Sequence, residues 1–258
     1  MEISETQLDV RPPLTTYEGL AKMIDHSLLK PELNDEQVTE GIRLAIQYNV
    51  ASVCVRPSDA DLAVRMLAGT DVSPGSVVGF PHGANTTATK IYETADLLRR
   101  GIKEIDMVLN IGKLISRQFQ YVETELLQIS EKCHEAGALL KVIFENAYLS
   151  EDLKVIACKI SKRAEVDYVK TSTGFAPSGY TPADLRLMKS IVKDRARLKA
   201  AHGVRSLETA LEVYELGCDR FGATQTAAIL DAWKARLEAT PTTALASKPA
   251  EASPGGGY

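Results

Sequence analysis

Between Lys22 and Ala239 a short apolar run is followed by a longer amphipathic stretch, and the pair recurs eight times. The strand-like runs are Lys22 to Leu28, Val50 to Val55, Ser76 to Phe80, Glu104 to Asn110, Leu139 to Glu145, Asp167 to Thr173, Arg197 to Ala201 and Arg220 to Ala223. The helical patterns that follow them are Asp35 to Tyr48, Ser58 to Leu67, Thr87 to Arg100, Arg117 to Ala136, Glu151 to Ala164, Pro182 to Lys193, Leu207 to Leu216 and Gln225 to Ala239. A short helix, Thr16 to Ala21, precedes the first strand. Strands that alternate with helices cannot be joined by hairpins; they line up in parallel with each helix as the crossover. Eight units in a chain of 258 residues fit an α/β fold of the (β/α)8 TIM-barrel kind, with a short N-terminal helix. A doubly wound open sheet is the competing arrangement. A dinucleotide-binding version of it needs Gly-x-Gly-x-x-Gly after the first strand, where this chain has Asp25-His26-Ser27-Leu28-Leu29.

The punctuation agrees with this division. Gly101, Gly137 and Gly217 stand where helices end, and Asn34, Ser58, Ser150, Thr181 and Ser206 stand where they begin, with Pro182 at a first helical position. The expected organisation is one barrel domain over residues 1–239 and a flexible tail over 240–258, rich in Ala, Thr, Ser, Pro and Gly and ending in Tyr258.

Composition narrows the function classes. Thirty basic and 34 acidic residues are well mixed, which gives neither the basic patch of a nucleic-acid binder nor an acidic tail. Cys54, Cys133, Cys158 and Cys218 show no Cys-x-x-Cys spacing, so reduced thiols are expected rather than a zinc site or a disulfide framework. The first residues are polar and acidic, unlike a signal peptide, and no apolar run approaches the roughly 18 residues of a membrane span. These readings predict a cytoplasmic protein with no nucleic-acid or membrane partner.

In a (β/α)8 barrel the reactive groups sit at the C-terminal ends of the strands. Those ends carry charge here: Asp25 near the end of strand one, Asp106 on strand four, Lys141 and Glu145 on strand five, Lys170 on strand six and Lys199 on strand seven. Alternation puts Asp106, Val108 and Asn110 on one face, Lys141, Ile143 and Glu145 on one face, and Tyr168 with Lys170. Charged side chains are rarely buried unless paired, so these residues predict a polar cluster inside the barrel. Two ammonium groups at neighbouring strand ends repel, which favours the neutral amine, and a neutral amine is a nucleophile. Lys170 is therefore the candidate Schiff-base lysine, with Lys199 lowering its pKa and Asp106 moving protons. An iminium stabilises the adjacent carbanion by itself, so neither a metal nor an organic cofactor is expected.

The motifs Ile24-Asp25-His26-Ser27-Leu28-Leu29, Val78-Gly79-Phe80-Pro81-His82-Gly83, Glu104-Ile105-Asp106-Met107-Val108, Leu140-Lys141-Val142-Ile143, Val169-Lys170-Thr171-Ser172-Thr173-Gly174 and Leu198-Lys199-Ala200-Ala201 resemble those of the deoxyribose-phosphate aldolases, class I aldolases, over about Ala21 to Leu230. The resemblance implies the same barrel and the same roles for Lys170, Lys199 and Asp106. It also implies reversible cleavage of 2-deoxy-D-ribose 5-phosphate to acetaldehyde and D-glyceraldehyde 3-phosphate. The partners it implies are small aldehydes and sugar phosphates, together with a second copy of the chain, since family members are often dimers. Expected substrate-binding residues are Asp25, Ser27, Cys54, Phe80, Lys141, Thr173, Gly174, Gly203, Gly222, Thr224 and Gln225, and Tyr258 is the expected additional proton relay.

The chain departs from the family at the phosphate end. His202-Gly203 stands where Gly-Gly is usual, and Thr224-Gln225 where Ser-Ser is usual. Arg205 opens the helix after strand seven. These departures leave open an aldolase with relaxed phosphate preference or another sugar substrate. A barrel-fold binding protein without turnover is the alternative from another class.

Overall fold

The computed structural model describes residues 13–239. Eight parallel strands close into a barrel in sequence order: β1 (Ile24–Leu28), β2 (Ser52–Val55), β3 (Ser73–Val78), β4 (Glu104–Val108), β5 (Leu139–Ile143), β6 (Tyr168–Lys170), β7 (Arg197–Ala200) and β8 (Arg220–Ala223), with β8 pairing back onto β1. The (β/α)8 expectation holds. The connecting helices are α2 (Asp35–Gln47), α3 (Ala60–Leu67), α4 (Thr87–Arg100), α6 (Phe119–Glu135), α7 (Glu151–Arg163), α8 (Pro182–Val192), α9 (Leu207–Glu215) and α10 (Thr226–Ala239). The short α1 (Tyr17–Ala21) precedes β1.

Every second strand residue faces outward and meets the helices. Ile105, Met107, Leu140, Val142, Val169, Leu198 and Phe221 are fully buried there with Ile42, Leu97, Leu126, Ile129, Met188 and Val213 from the helical layer. The other phase points into the barrel and is charged in its middle and apolar at one side of its mouth, where Leu29, Cys54 and Val77 form a small cluster with Phe80 packed on it.

Several boundaries differ from the sequence reading. β3 starts at Ser73, three residues early, because Pro74 lies within a register that pairs Ser52 with Ser73 and Cys54 with Gly75. The strand ends before Phe80. β4 stops at Val108 because Asn110 turns out of the sheet to cap α5 (Ile111–Ile115), a helix the periodicity did not reveal; its side chain accepts from Lys113 N at 3.1 Å. β5 stops at Ile143 because Glu145 takes a left-handed backbone, φ 55°. β6 is only Tyr168–Lys170.

Asn34, Thr181 and Ser206 cap their helices, Asn34 within a reciprocal pair with Gln37. Ser58 is not a cap: it lies inside a 3-10 turn, Pro57–Asp59, that runs into α3. Ser150 holds the cap position of α7, yet its hydroxyl donates to the Asp152 carboxylate and caps no N–H. Gly101 ends α4 with φ 103°. Tyr258 and the tail from residue 240 lie outside the described residues.

Candidate active site

Lys170 and Lys199 are directly paired residues on adjacent strands β6 and β7. The alternation that buries Val169 and Leu198 outward turns both lysines into the barrel, where they are 4% and 1% exposed. Their Nζ atoms meet at one oxygen: Asp106 Oδ2 accepts from Lys170 at 2.6 Å and from Lys199 at 2.7 Å. Lys199 also lies 2.5 Å from Asp25 Oδ2, a second carboxylate that Lys170 does not reach.

That difference separates the two amines. Burial lowers the pKa of both. For Lys170 the pull of Asp106 offsets burial only in part, the charge of Lys199 adds to the lowering, and the ammonium ends below its ordinary range. For Lys199, Asp106 and Asp25 together outweigh burial and hold the charge. Asp106 is fully buried; burial pushes its carboxyl up, but Lys141, Lys170 and Lys199 outweigh that and keep it ionised. The arrangement supplies an amine able to lose its proton, a fixed cation beside it and a carboxylate touching both. Asp106 Oδ1 takes no hydrogen bond, although Lys141 Nζ is 3.2 Å away, which leaves acceptor capacity on that oxygen.

Below this centre lies a second layer. Asp25 accepts from Ser52 Oγ at 2.7 Å, Lys141 Nζ at 2.8 Å and Arg220 Nη1 at 2.6 Å. Glu104 approaches Lys141 at 2.5 Å and Arg220 at 3.5 Å. Under it, the fully buried Tyr168 ring has the Arg197 guanidinium 4.2 Å from its centroid and Arg220 at 5.9 Å, closing the N-terminal end of the barrel.

Above the lysines opens a cavity of 490 Å³. Of the residues expected to bind substrate, Asp25, Ser27, Cys54, Thr173, Gly174, Gly203, Gly222 and Thr224 line it, and Lys170 and Lys199 form its floor. Three do not. Lys141 is 1% exposed and locked among Asp25, Glu104 and Asp106, so it is a buried counter-ion rather than a substrate contact. Gln225 lies off the cavity at the start of α10, where its carbonyl accepts from Ile229 N. Phe80 stands behind the wall, its ring edge-on to Phe175 at 5.3 Å, and it is Phe175 that lines the cavity. Asp106 sits beneath the floor rather than in the lining.

The loop after β6 is pinned at both sides. Glu145 accepts from Thr173 N at 3.2 Å and from its hydroxyl, while Thr171 N donates to Lys199 O at 3.2 Å and Thr171 Oγ1 accepts from Ala201 N. His202, also in the lining, has φ 63°, a region that a side-chain-bearing residue seldom takes. Gly179 leaves the room for it: a Cβ there would come within 1.6 Å of His202 O. Lys30, Glu32, Val204 and Arg205 complete the mouth.

Sequence reasoning missed Glu104, Arg220 and Phe175. The first two open their strands and read as solvent-facing charges. The alternation that placed Asp106 inside also places Glu104 inside, two residues earlier.

Residues 20–227 match the model of the DeoC/LacD family aldolases. The chain belongs to that family. It is 45% identical to a deoxyribose-phosphate aldolase of Rhodopirellula baltica over 83% of this chain and 89% of that protein. Among solved structures it is similar to a putative deoxyribose-phosphate aldolase from Coccidioides immitis, with TM-score 0.82 and 31% identity over 86% of this chain and 88% of that one. It is also similar to the tetrameric deoxyribose phosphate aldolase from Aeropyrum pernix, with TM-score 0.77 and 29% identity over 86% and 94%. An aldolase function is thereby shown, and this family member carries its buried lysines and carboxylates inside a closed barrel. Among the described residues no helix is long and apolar enough to cross a membrane.

Proposed function

We propose that this aldolase cleaves 2-deoxy-D-ribose 5-phosphate reversibly to acetaldehyde and D-glyceraldehyde 3-phosphate through a Schiff base on Lys170. The observation that carries this reading is the inequality of the two lysines, one carboxylate on Lys170 against two on Lys199. Lys170, as the free amine, adds to the aldehyde carbon C1 of the open-chain sugar, and loss of water from the carbinolamine gives the iminium. Removal of the proton from the C3 hydroxyl breaks the C2–C3 bond. Its electron pair moves into the iminium to give an enamine, and the three-carbon aldehyde leaves. Protonation of the enamine at its terminal carbon and hydrolysis of the resulting iminium release acetaldehyde and restore the amine. Asp106, touching both amines with Oδ1 free to accept, relays the protons. Lys199 holds a fixed positive charge beside the reacting nitrogen.

Gly174, Gly203 and Thr224, with Arg205 at the mouth, are the lining groups suited to the phosphate. The four cysteines are buried thiols, with Cys54, Cys133 and Cys158 pushed up to about 12 by burial, so they are unreactive, and a cytoplasmic location suits them. The active species is a homo-oligomer, a dimer in the simplest form.

Borohydride reduction in the presence of acetaldehyde, followed by peptide mass analysis, tests the mechanism. The expected result is an ethyl adduct on Lys170; its absence removes the Schiff-base reading. A second reading, relaxed dependence on phosphate, is favoured by His202, whose side chain lines the cavity where a glycine would leave open space. Comparing kcat/KM for deoxyribose 5-phosphate and free deoxyribose decides it: a strong preference for the phosphorylated sugar sinks the second reading.

A further inference from the structure

The titratable groups in and beneath the lysine centre come from almost every strand. β1 supplies Asp25, β2 the thiol of Cys54, β4 Glu104 and Asp106, β5 Lys141, β6 the phenol of Tyr168, β7 Lys199 and β8 Arg220; β3 supplies only Val77. Glu145, above them, is taken up by Thr173. Cys54 and Tyr168 are held neutral by burial. That leaves three carboxylates against four basic groups, all largely buried. With Lys170 as the amine, the set becomes three against three.

The contacts are continuous. Arg220 Nη1 lies 2.6 Å from Asp25 Oδ1, and the other oxygen of Asp25 holds Lys199 at 2.5 Å and Lys141 at 2.8 Å. Glu104 closes the loop from below, between Lys141 and Arg220. Net charge buried in a low-dielectric interior is strongly unfavourable; discharge of any one of the three lysines brings the set to zero, and the readiest to discharge is the one least held by carboxylates. Lys170 is that group, because it has one carboxylate neighbour and lies at the cavity floor.

We propose that Arg220 and Glu104, neither of which reaches the cavity, are opposed positioning residues that set the charge balance of the lysine centre through Asp25 and Lys141. This rests on Lys170 being the Schiff-base amine. Loss of the Arg220 charge leaves the set negative once Lys170 is neutral, so the ammonium is retained to higher pH. Loss of the Glu104 charge acts in the opposite direction. A unit charge roughly 10 Å away, acting through protein of effective dielectric about 20, corresponds to a shift of about one pH unit.

The test measures the pH dependence of kcat/KM for cleavage of deoxyribose 5-phosphate, and of borohydride trapping with acetaldehyde, in the wild type and in Arg220→Gln, Arg220→Lys, Glu104→Gln and the Arg220→Gln/Glu104→Gln double variant. Arg220→Gln is expected to move the onset of the acid limb up by about one unit, losing up to about tenfold in rate near neutrality and regaining it at high pH. Arg220→Lys follows the wild type, Glu104→Gln moves the onset down, and the double variant, charge-balanced again, returns toward the wild type. A profile of Arg220→Gln superimposable on the wild type overturns the proposal. So does a loss that alkaline pH does not restore and the double variant does not rescue, since that is the mark of a merely structural arginine. If Arg220→Gln does not fold, Glu104→Gln alone decides, an unmoved onset overturning the proposal. Failure of the underlying reading looks different: the wild type itself then gives no Lys170 adduct at any pH.

Discussion

Lys170 and Lys199 bind the same oxygen atom of Asp106, at 2.6 and 2.7 Å, from neighbouring strands. Two ammonium groups on one carboxylate oxygen is an arrangement in which one of them is easily spared, and the second carboxylate, Asp25, decides which. Replacing Lys199 by Met leaves Asp106 to act on Lys170 without a competing cation. The Lys170 ammonium is then held to higher pH. The expected outcome is a loss of roughly tenfold to a hundredfold in kcat near neutrality, with partial recovery above pH 9 or so, seen in a pH–rate profile.

Asp106→Asn removes the proposed proton relay but also the anion that favours a charged Lys170. Adduct formation with acetaldehyde therefore persists under borohydride, while kcat for cleavage falls by roughly 10²- to 10⁴-fold. Trapping and turnover measured on one preparation separate the two effects; loss of both together contradicts the assigned relay.

Outside the barrel, Lys90 on α4 and Glu125 on α6 form an ion pair at 2.8 Å with both side chains fully buried. Lys90 also donates to Val108 O at 2.7 Å, and Glu125 accepts from Asn110 N at 3.2 Å, so the pair clamps the end of β4 just beyond Asp106. Lys90→Met strands a buried carboxylate. Chemical denaturation is expected to show a loss of about 3–5 kcal/mol, larger than that of any single exposed ion pair such as Arg117–Asp152.

His26 faces away from the site, with Nδ1 2.9 Å from Thr226 Oγ1 on α10, and burial depresses its pKa from 6.5 to about 4. The folded protein keeps this imidazole neutral where the unfolded chain protonates it. Its contribution to stability is therefore present above pH 6.5 and is lost as pH falls from 6.5 toward 4, by up to about 3 kcal/mol. Denaturant midpoints measured across that interval should fall in the wild type and flatten in His26→Asn.

Much of this was legible in the residues. The eight strand–helix pairs and the inward phase of Asp106, Lys170 and Lys199 follow from periodicity, because a period of two assigns faces without any knowledge of the neighbours. Depth does not follow. Lys141 shares the inward phase of Asp106, yet whether it meets substrate or counter-ions depends on the stagger of β4 against β5, which only the closed sheet reveals. Glu104 and Arg220 escaped notice because charges at strand starts ordinarily reach solvent, whereas here two of them complete a ring. Asn110 read as strand because nothing local separates a strand residue from a helix cap when a five-residue helix follows.

The stack of Arg197, Tyr168 and Arg220 across the base of the barrel has a kinetic meaning. A vessel closed at one end has a single doorway, and whatever enters must leave the way it came. In the proposed mechanism the three-carbon aldehyde, released nearer the opening, leaves while the two-carbon fragment is still covalently held at the floor. Departure in a fixed sequence is then a property of the covalent bond, and the closed base sends both fragments out through the same mouth.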